Sequence, residues 1–189
     1  MRFRSFISVD MEPTDALSQL LEGLRSADAD LKVVKPGNLH VTLKFLGDID
    51  ETAIDGISER MARSADGLQP FTVVMKGMGA FPSLSNIRVI WVGLENAEGL
   101  SSMAERLDTS LREIGFERDK KGFRPHLTVA RARSPRGVAG LQQLMNSNVA
   151  TDFGSSEVDR MVLKKSVLTP KGPIYSDIRE IPLVQGDGP

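Results

Sequence analysis

The chain has two histidines, and both stand in the same frame, His-apolar-Thr-apolar: His40-Val-Thr42 and His126-Leu-Thr128. In an extended strand, residues i and i+2 project from the same face, roughly 6–7 Å apart. Each segment therefore presents an imidazole beside a hydroxyl. Imidazole titrates near neutral pH, so it can remove a proton in one state and deliver one in the other. A Thr hydroxyl can donate a hydrogen bond to an anionic oxygen without adding a charge.

These groups suit in-line displacement at a phosphate diester. Opening a cyclic phosphate with water requires one group to remove a proton from the water and another to protonate the departing sugar oxygen, on opposite sides of phosphorus. Two histidines on facing strands, one neutral and one protonated, meet that requirement. A lone His or Thr in an apolar strand is commonly structural. The repetition of the pattern favours catalysis, but the spacing does not determine which histidine plays which role.

Metal binding is the alternative function of such histidines, because two His and a carboxylate can hold zinc. Neither strand carries an acidic residue in phase with its histidine, however. Lys44, which follows His40 in phase, would repel a divalent cation. The sequence therefore predicts a site without a metal or any other cofactor.

Three further residues are candidates for substrate contact. Lys44 is in phase with His40 and faces the substrate unless it is an ordinary surface lysine. Arg131 is out of phase with His126 in a regular strand, so it reaches a phosphate only if the strand ends or bulges there. Tyr175, the single tyrosine, either stacks on a base or packs in the core.

The segment 118–136 around the second motif is strongly basic, although the chain as a whole is nearly neutral, with 24 Lys+Arg and 25 Asp+Glu. Its only acidic residue is Asp119. Its cations are Arg118, Lys120, Lys121, Arg124, Arg131, Arg133 and Arg136. A basic segment beside the second histidine suits an RNA end, and a solvated loop is the alternative.

The elements that must position these residues are visible as apolar patterns. Alternating residues or short apolar runs predict strands at 3–9, 40–47, 71–78, 87–94, 126–131, 158–168 and 174–183. Residues 31–34 form a short apolar run that the turn signal Pro36-Gly37 closes. Helical spacing predicts helices at about 13–26, 51–63 and 100–114, and a weaker one after Pro135. Residues 79–83 are expected to form a loop. The large aromatic residues Phe45, Trp91 and Phe123 are expected in the core.

Strands and helices mix without strict β-α-β alternation, and a His-x-Thr strand occurs once in each half, 86 residues apart. The pattern predicts an α+β, pseudo-duplicated fold with two lobes facing each other. We expect one bilobal domain over residues 1–185 and a flexible tail over 186–189. The chain contains no Cys and no apolar segment long enough to cross a bilayer. It is therefore expected to be cytoplasmic and free of membrane contact. We expect a monomer, although nothing in the sequence determines the oligomeric state.

The two motifs, His40-Val-Thr-Leu-Lys-Phe-Leu-Gly47 and Arg124-Pro-His-Leu-Thr-Val-Ala-Arg131, resemble the paired signatures of the 2H phosphoesterase superfamily. The longer forms are similar to its RNA 2′,3′-cyclic phosphodiesterase branch, whose members are often labelled 2′-5′ RNA ligases. The resemblance extends over nearly the whole chain, including the closing segment 166–175. It implies two antiparallel sheets facing a central cleft, with helices on the outside and no metal.

The resemblance also implies roles. His40 would be the proton donor to the leaving 3′ oxygen and His126 the proton acceptor from water, yielding a 2′-phosphomonoester from an RNA 2′,3′-cyclic phosphate end. Thr42 and Thr128 would hold the non-bridging phosphate oxygens. Two alternatives remain open: a module that binds RNA ends without turnover, and weak reversible 2′-5′ ligation by the same groups.

Overall fold

The computed structural model describes residues 1–184, so the predicted tail at 186–189 lies outside the described residues. The strands are β1 (Arg2–Asp10), β2 (Leu31–Val33), β3 (His40–Asp50), β4 (Phe71–Ser83), β5 (Asn86–Glu95), β6 (His126–Ala132), β7 (Asp152–Val158), β8 (Arg160–Thr169) and β9 (Gly172–Pro182). The helices are α1 (Asp15–Ser26), α2 (Ile54–Ala65), α3 (Glu98–Arg112) and α4 (Val138–Ser147). The predicted α+β class is confirmed.

The strands form two antiparallel sheets. The first has the order β3-β1-β8-β9 and the second the order β2-β6-β5-β4-β7. Each sheet contains one of the two histidine strands, β3 in the first and β6 in the second. The strands predicted at 158–168 and 174–183 form an antiparallel hairpin, in which β8 and β9 pair from Arg160↔Pro182 to Thr169↔Gly172.

The helices cover the outer faces of the sheets. The α2 and α3 helices pack on the first sheet, and α1 and α4 pack on the second. The inner faces of the two sheets therefore face each other, and β3 contacts β6 directly. We call the space bordered by the inner faces of β3 and β6 the cleft. This arrangement confirms the two facing sheets with outer helices.

Helix α1 shows how the sequence pattern produces these elements. The Thr14 hydroxyl caps its first turn by accepting a hydrogen bond from the Leu17 backbone N–H at 3.2 Å. The helix starts at Asp15, so Pro13 precedes the cap rather than lying in the first turn. Its buried residues follow helical spacing, at Leu17, Leu20, Leu21 and Leu24. Burying each such side chain contributes about 1.5–3 kcal/mol, which fixes the helix on the second sheet.

The strands differ from the prediction chiefly in two places. Residues 79–83 continue strand β4 rather than forming a loop, and they pair with β5 from Gly79↔Trp91 to Ser83↔Asn86. Position 79 requires glycine because the ring of Trp91 lies over it, and a Cβ atom would approach that ring to 2.2 Å. Strand β7 was not predicted, since its serine-rich sequence lacks a run of β-branched residues. It forms by pairing with β4.

Within residues 1–184, none of the helices combines the length and the apolar character that a bilayer crossing demands.

Candidate active site

The two histidines are held in the same way. The Nδ1 atom of His40 lies 2.6 Å from the carbonyl oxygen of Asn38, and Nδ1 of His126 lies 2.6 Å from that of Arg124. A carbonyl oxygen only accepts hydrogen bonds, so Nδ1 must carry the proton in both rings. Nε2 is then the atom that gains or loses a proton in each histidine. In both histidines, the carbonyl group two residues earlier in the chain therefore selects the same tautomer.

Aromatic rings fix the orientation of both imidazoles. His40, Phe6 and Tyr175 form a triangle of rings whose centroids are 5.1–5.3 Å apart, and the Tyr175 ring is nearly perpendicular to that of His40. His126 meets Phe81 edge to face at 5.0 Å. Such contacts restrict the rotation of both imidazole rings. For Tyr175 the sequence allowed either base stacking or packing in the core. In the structure its side chain is half-buried beside His40.

Burial lowers the pKa of His40 below its ordinary value. The backbone hydrogen bond to Asn38 and the negative charge of Asp10 act against burial, whereas the positive charges of Lys164 and Arg131 lower the pKa further. His40 is therefore neutral near pH 7 when no anion lies in the cleft.

A β-bulge removes Lys44 from this site. In the pairing of β3 with β1, Thr42 lies opposite Ser8 and Lys44 opposite Ile7, so Leu43 is the extra residue. A bulge shifts the alternation of side chains by one position. Lys44 consequently turns toward helix α3, where its ammonium is buried against the Asp108 carboxylate and donates to the Glu117 carbonyl at 2.6 Å. The expectation that Lys44 faces the substrate assumed a regular strand, and the structure does not bring it to the cleft.

An equivalent bulge brings Arg131 to the site. In the pairing of β6 with β5, Thr128 lies opposite Trp91 and Ala130 opposite Ile90, so Val129 is the extra residue. This is the irregularity on which a role for Arg131 depended. Arg131 is exposed on the cleft side. Burial lowers the pKa of His40 and raises the pKa of Tyr175 on the opposite sheet; the positive charge of Arg131 adds to the first shift and opposes the second. The cation therefore lies within electrostatic reach of both lobes of the site.

Both bulges come three residues after a histidine, so the two motifs match position by position. Phe45 stands in β3 where Arg131 stands in β6. Its side chain is 65% exposed, and its ring centroid lies 6.3 Å from that of Phe6. The expectation that Phe45 belongs to the core was wrong, because it assumed the unbulged phase. Trp91 is only partly buried, opposite Thr128, while Phe123 packs against the core as expected.

The basic segment contributes exposed cations beside β6. Arg118 pairs with Asp108 at 3.3 Å, and Arg136 pairs with Asp28. The remaining cations are exposed and form no ion pair within residues 1–184; they are Lys120, Lys121, Arg124, Arg131 and Arg133. These cations lie in β6 itself or in the segments directly before and after it.

Sequence reasoning missed three charged residues beside His40. Asp10 lies directly opposite His40 on β1, and Lys164 and Asp177 pair across β8 and β9. Lys164 is buried, and its Nζ lies 3.0 Å from Asp10 and 2.6 Å from Asp177. No local motif marks these residues, because they lie on three strands that only the sheet brings together. A lysine directly after the apolar run Met161–Leu163 of β8 was the one available signal.

Across the described part of the chain, no three His, Cys, Asp or Glu side chains cluster closely enough to hold a metal ion. The chemistry available in the cleft is thus proton transfer at two Nε2 atoms, hydroxyl donation from two threonines and the positive charge of Arg131.

Comparison with known proteins agrees with this geometry. A family model described as LigT like Phosphoesterase matches twice, at residues 7–91 and 92–175, which confirms the predicted duplication. An RNA 2′,3′-cyclic phosphodiesterase of Methanothermobacter thermautotrophicus is 39% identical over 94% of this chain and 97% of its own length. One from Archaeoglobus fulgidus is 37% identical over 93% of this chain and 98% of its own length.

Solved structures show the same fold. A Thermus thermophilus protein superposes with a TM-score of 0.75 at 28% identity, over 95% of this chain and 97% of the other. Escherichia coli LigT, solved in complex with 3′-AMP, gives a TM-score of 0.77 at 22% identity, over 98% of this chain and all of the other. The paired histidine strands, the duplicated model match and the full-length relatives together show that the chain belongs to the LigT-like, two-histidine phosphoesterase family.

Proposed function

We propose that this protein is a cyclic phosphodiesterase that opens RNA 2′,3′-cyclic phosphate ends to 2′-phosphomonoesters, without a metal. The observation that carries the proposal is the matched pair of histidines, each with Nδ1 bound to a backbone carbonyl and Nε2 left for proton transfer. The names of the full-length relatives support the same reaction.

We assign His40 as the proton donor to the 3′ oxygen and His126 as the proton acceptor from water. The hydroxyls of Thr42 and Thr128 and the guanidinium of Arg131 would hold the non-bridging phosphate oxygens, where negative charge develops in the transition state. Tyr175 would position the His40 ring and border the bound nucleotide. Lys44 has no part in this proposal.

The lowered pKa of His40 must be reconciled with its role as an acid. In the empty cleft the neutral form is favoured. A bound phosphodiester places a negative charge beside the ring, which favours the imidazolium. Substrate binding and proton uptake at His40 are therefore coupled, so the acid is formed when the substrate arrives.

The exposed cations of the basic segment would take the phosphates of the upstream nucleotides. Since they lie on the β6 side of the cleft, the RNA strand would leave the site along the second sheet. This contribution is electrostatic, so binding should weaken as the salt concentration rises.

The test uses RNA ending in a 2′,3′-cyclic phosphate and protein treated with a chelator. We expect a 2′-phosphomonoester product, and a loss of roughly 10²–10⁴-fold in rate for His40→Ala or His126→Ala. Full activity in either variant would refute the two-histidine mechanism. Tight binding of the RNA without product would instead indicate a binding module.

A second substrate separates the two roles. When sulfur replaces the bridging 3′ oxygen, the leaving thiolate needs no proton, so the loss of the acid should matter little. We expect His40→Ala to recover to within about tenfold of the unsubstituted protein, while His126→Ala keeps its defect. Recovery of His126→Ala instead would exchange the assignments.

A further inference from the structure

A polar cavity of about 230 Å³ opens beside His40 on the inner face of the first sheet. It is lined by Asp10, Gly37, Asn38, His40, Lys164, Tyr175 and Asp177. Its volume is below the roughly 300–1,000 Å³ of pockets that enclose drug-sized ligands. The cavity therefore suits a single ring system attached to the group that His40 acts upon.

The charges of the cavity are asymmetric. The Lys164 ammonium lies between the carboxylates of Asp10 and Asp177, at 3.0 and 2.6 Å. Burial by itself would lower the pKa of Lys164, but its two carboxylate partners outweigh burial and raise it, so the lysine is charged. While His40 is neutral, as in the empty cleft, one cation and two anions give the cavity lining a net charge of −1. A phosphate is repelled from such a cavity, whereas a neutral ligand rich in hydrogen-bond donors is attracted.

The carboxylates retain accepting capacity toward the cavity. The side chains of Asp10 and Asp177 are 40% and 46% exposed, whereas Lys164 is buried beneath them at 9%. An ionised carboxylate has about four lone-pair sites, and the lysine contact uses only part of them. Asn38 and Tyr175 supply hydrogen-bond donors on the same lining.

We propose that this cavity receives the base of the terminal nucleotide and selects guanine, an inference that rests on the proposed hydrolysis of cyclic phosphate ends. Guanine presents adjacent N1–H and N2–H donors that fit one carboxylate bidentately, and its O6 accepts from a neighbouring donor. Uracil presents two carbonyl oxygens around its single N–H, and these oxygens face the carboxylates unfavourably. Adenine and cytosine each offer one amino group beside an unprotonated ring nitrogen.

Asp177 is the better residue for testing this selection. Asp10 lies directly opposite His40 on the neighbouring strand and influences its protonation, so changing it would alter catalysis as well. Asp177 lies on β9, at the opposite edge of the sheet from β3, and is not among the groups that shift the pKa of His40 directly. In Asp177→Asn one carboxylate oxygen becomes an NH₂ group, which opposes the donors of guanine while preserving the size of the side chain.

The experiment compares four dinucleotides that end in a 2′,3′-cyclic phosphate and differ only in the terminal base. We expect kcat/KM for guanine to exceed that for uracil by roughly tenfold to a hundredfold. Asp177→Asn should lower this ratio at least about fivefold, while Asp48→Asn, an exposed aspartate at the other end of β3, should preserve it. The ratio of two substrates measured on one preparation does not depend on the fraction of protein that is folded.

A binding measurement keeps the inference separate from the proposed reaction. Calorimetric titration with guanosine and uridine, which carry no phosphate, should show tighter binding of guanosine and a loss of that difference in Asp177→Asn. Equal kcat/KM for all four dinucleotides, or a preference that Asp177→Asn leaves unchanged, would overturn the guanine pocket but not the hydrolysis. Absence of turnover with every dinucleotide would overturn the hydrolysis, and equal nucleoside affinities would then overturn the pocket as well.

Discussion

Replacing Lys44 by Met should destabilise the fold and leave catalysis nearly intact, because the lysine joins the first sheet to helix α3. The side chains of Lys44 and Asp108 are only 6% and 12% exposed. Methionine preserves the apolar stem but removes the donors to the Asp108 carboxylate and to the Glu117 carbonyl at 2.6 Å. Breaking a buried ion pair from one side costs about 3–5 kcal/mol. Arg118 still pairs with Asp108 at 3.3 Å, which reduces the expected loss to about 2–3 kcal/mol.

The assay is urea and thermal unfolding followed by the fluorescence of Trp91, the only tryptophan. A loss of about 2–3 kcal/mol corresponds to a decrease of about 4–12 °C in Tm for a chain of this size. Lys171→Met, at the exposed turn between β8 and β9, is the control and should stay within about 0.5 kcal/mol. Adding Asp108→Asn to Lys44→Met should recover about 1 kcal/mol of the lost stability. The second change removes the buried carboxylate that Lys44→Met leaves without its lysine partner.

The same variants decide between the two positions considered for Lys44. For folded Lys44→Met, we expect kcat/KM on cyclic-phosphate RNA to change by less than about threefold, since no contact with the transition state is lost. Unchanged stability combined with a loss of roughly tenfold or more in kcat/KM would refute the placement against α3. It would mean that the side chain reaches the substrate, as an unbulged strand would require.

Further perturbations test the site and its surroundings. Phe45→Ala should lower the free energy of unfolding by less than about 1 kcal/mol, because Phe45 is 65% exposed. A core phenylalanine would cost roughly 3–5 kcal/mol, and a loss of that size in denaturant unfolding would contradict the exposed position. Gly79→Ala should lower the free energy of unfolding by about 1–3 kcal/mol and shift the fluorescence emission of Trp91, because the new Cβ would lie 2.2 Å from the Trp91 ring. Unaltered emission and stability would argue against the packing of Trp91 on Gly79. In an NMR titration, the pKa of His40 should lie below its ordinary value and should rise in Arg131→Gln or with inorganic phosphate; an unchanged pKa in Arg131→Gln would exclude close approach of Arg131. Because the unfolded chain takes up this proton more readily, His40 should also make the free energy of unfolding fall as the pH drops below about 6.5, a slope that His40→Gln should reduce.

Much of the fold was predictable because its signals are local. The leucines of α1 recur at helical spacing, and residues 3–9 alternate as a strand does, so burial of one face follows from the order of residues alone. Strand β7 escaped prediction because its serines carry no such signal, and it exists only because β4 offers it an edge.

For the candidate site, the sequence alone determined that two imidazoles and two hydroxyls occur in matched frames, because i and i+2 share a face in any strand. Only the tertiary structure decided which other side chains join them. The bulges at Leu43 and Val129 depend on register with the neighbouring strands, and they turn Lys44 away from the cleft while bringing Arg131 into it. The cluster of Asp10, Lys164 and Asp177 likewise depends on three strands distant in sequence lying side by side. Pairing between distant segments sets both the phase of a strand and the neighbours across it, and no local pattern of residues contains that information.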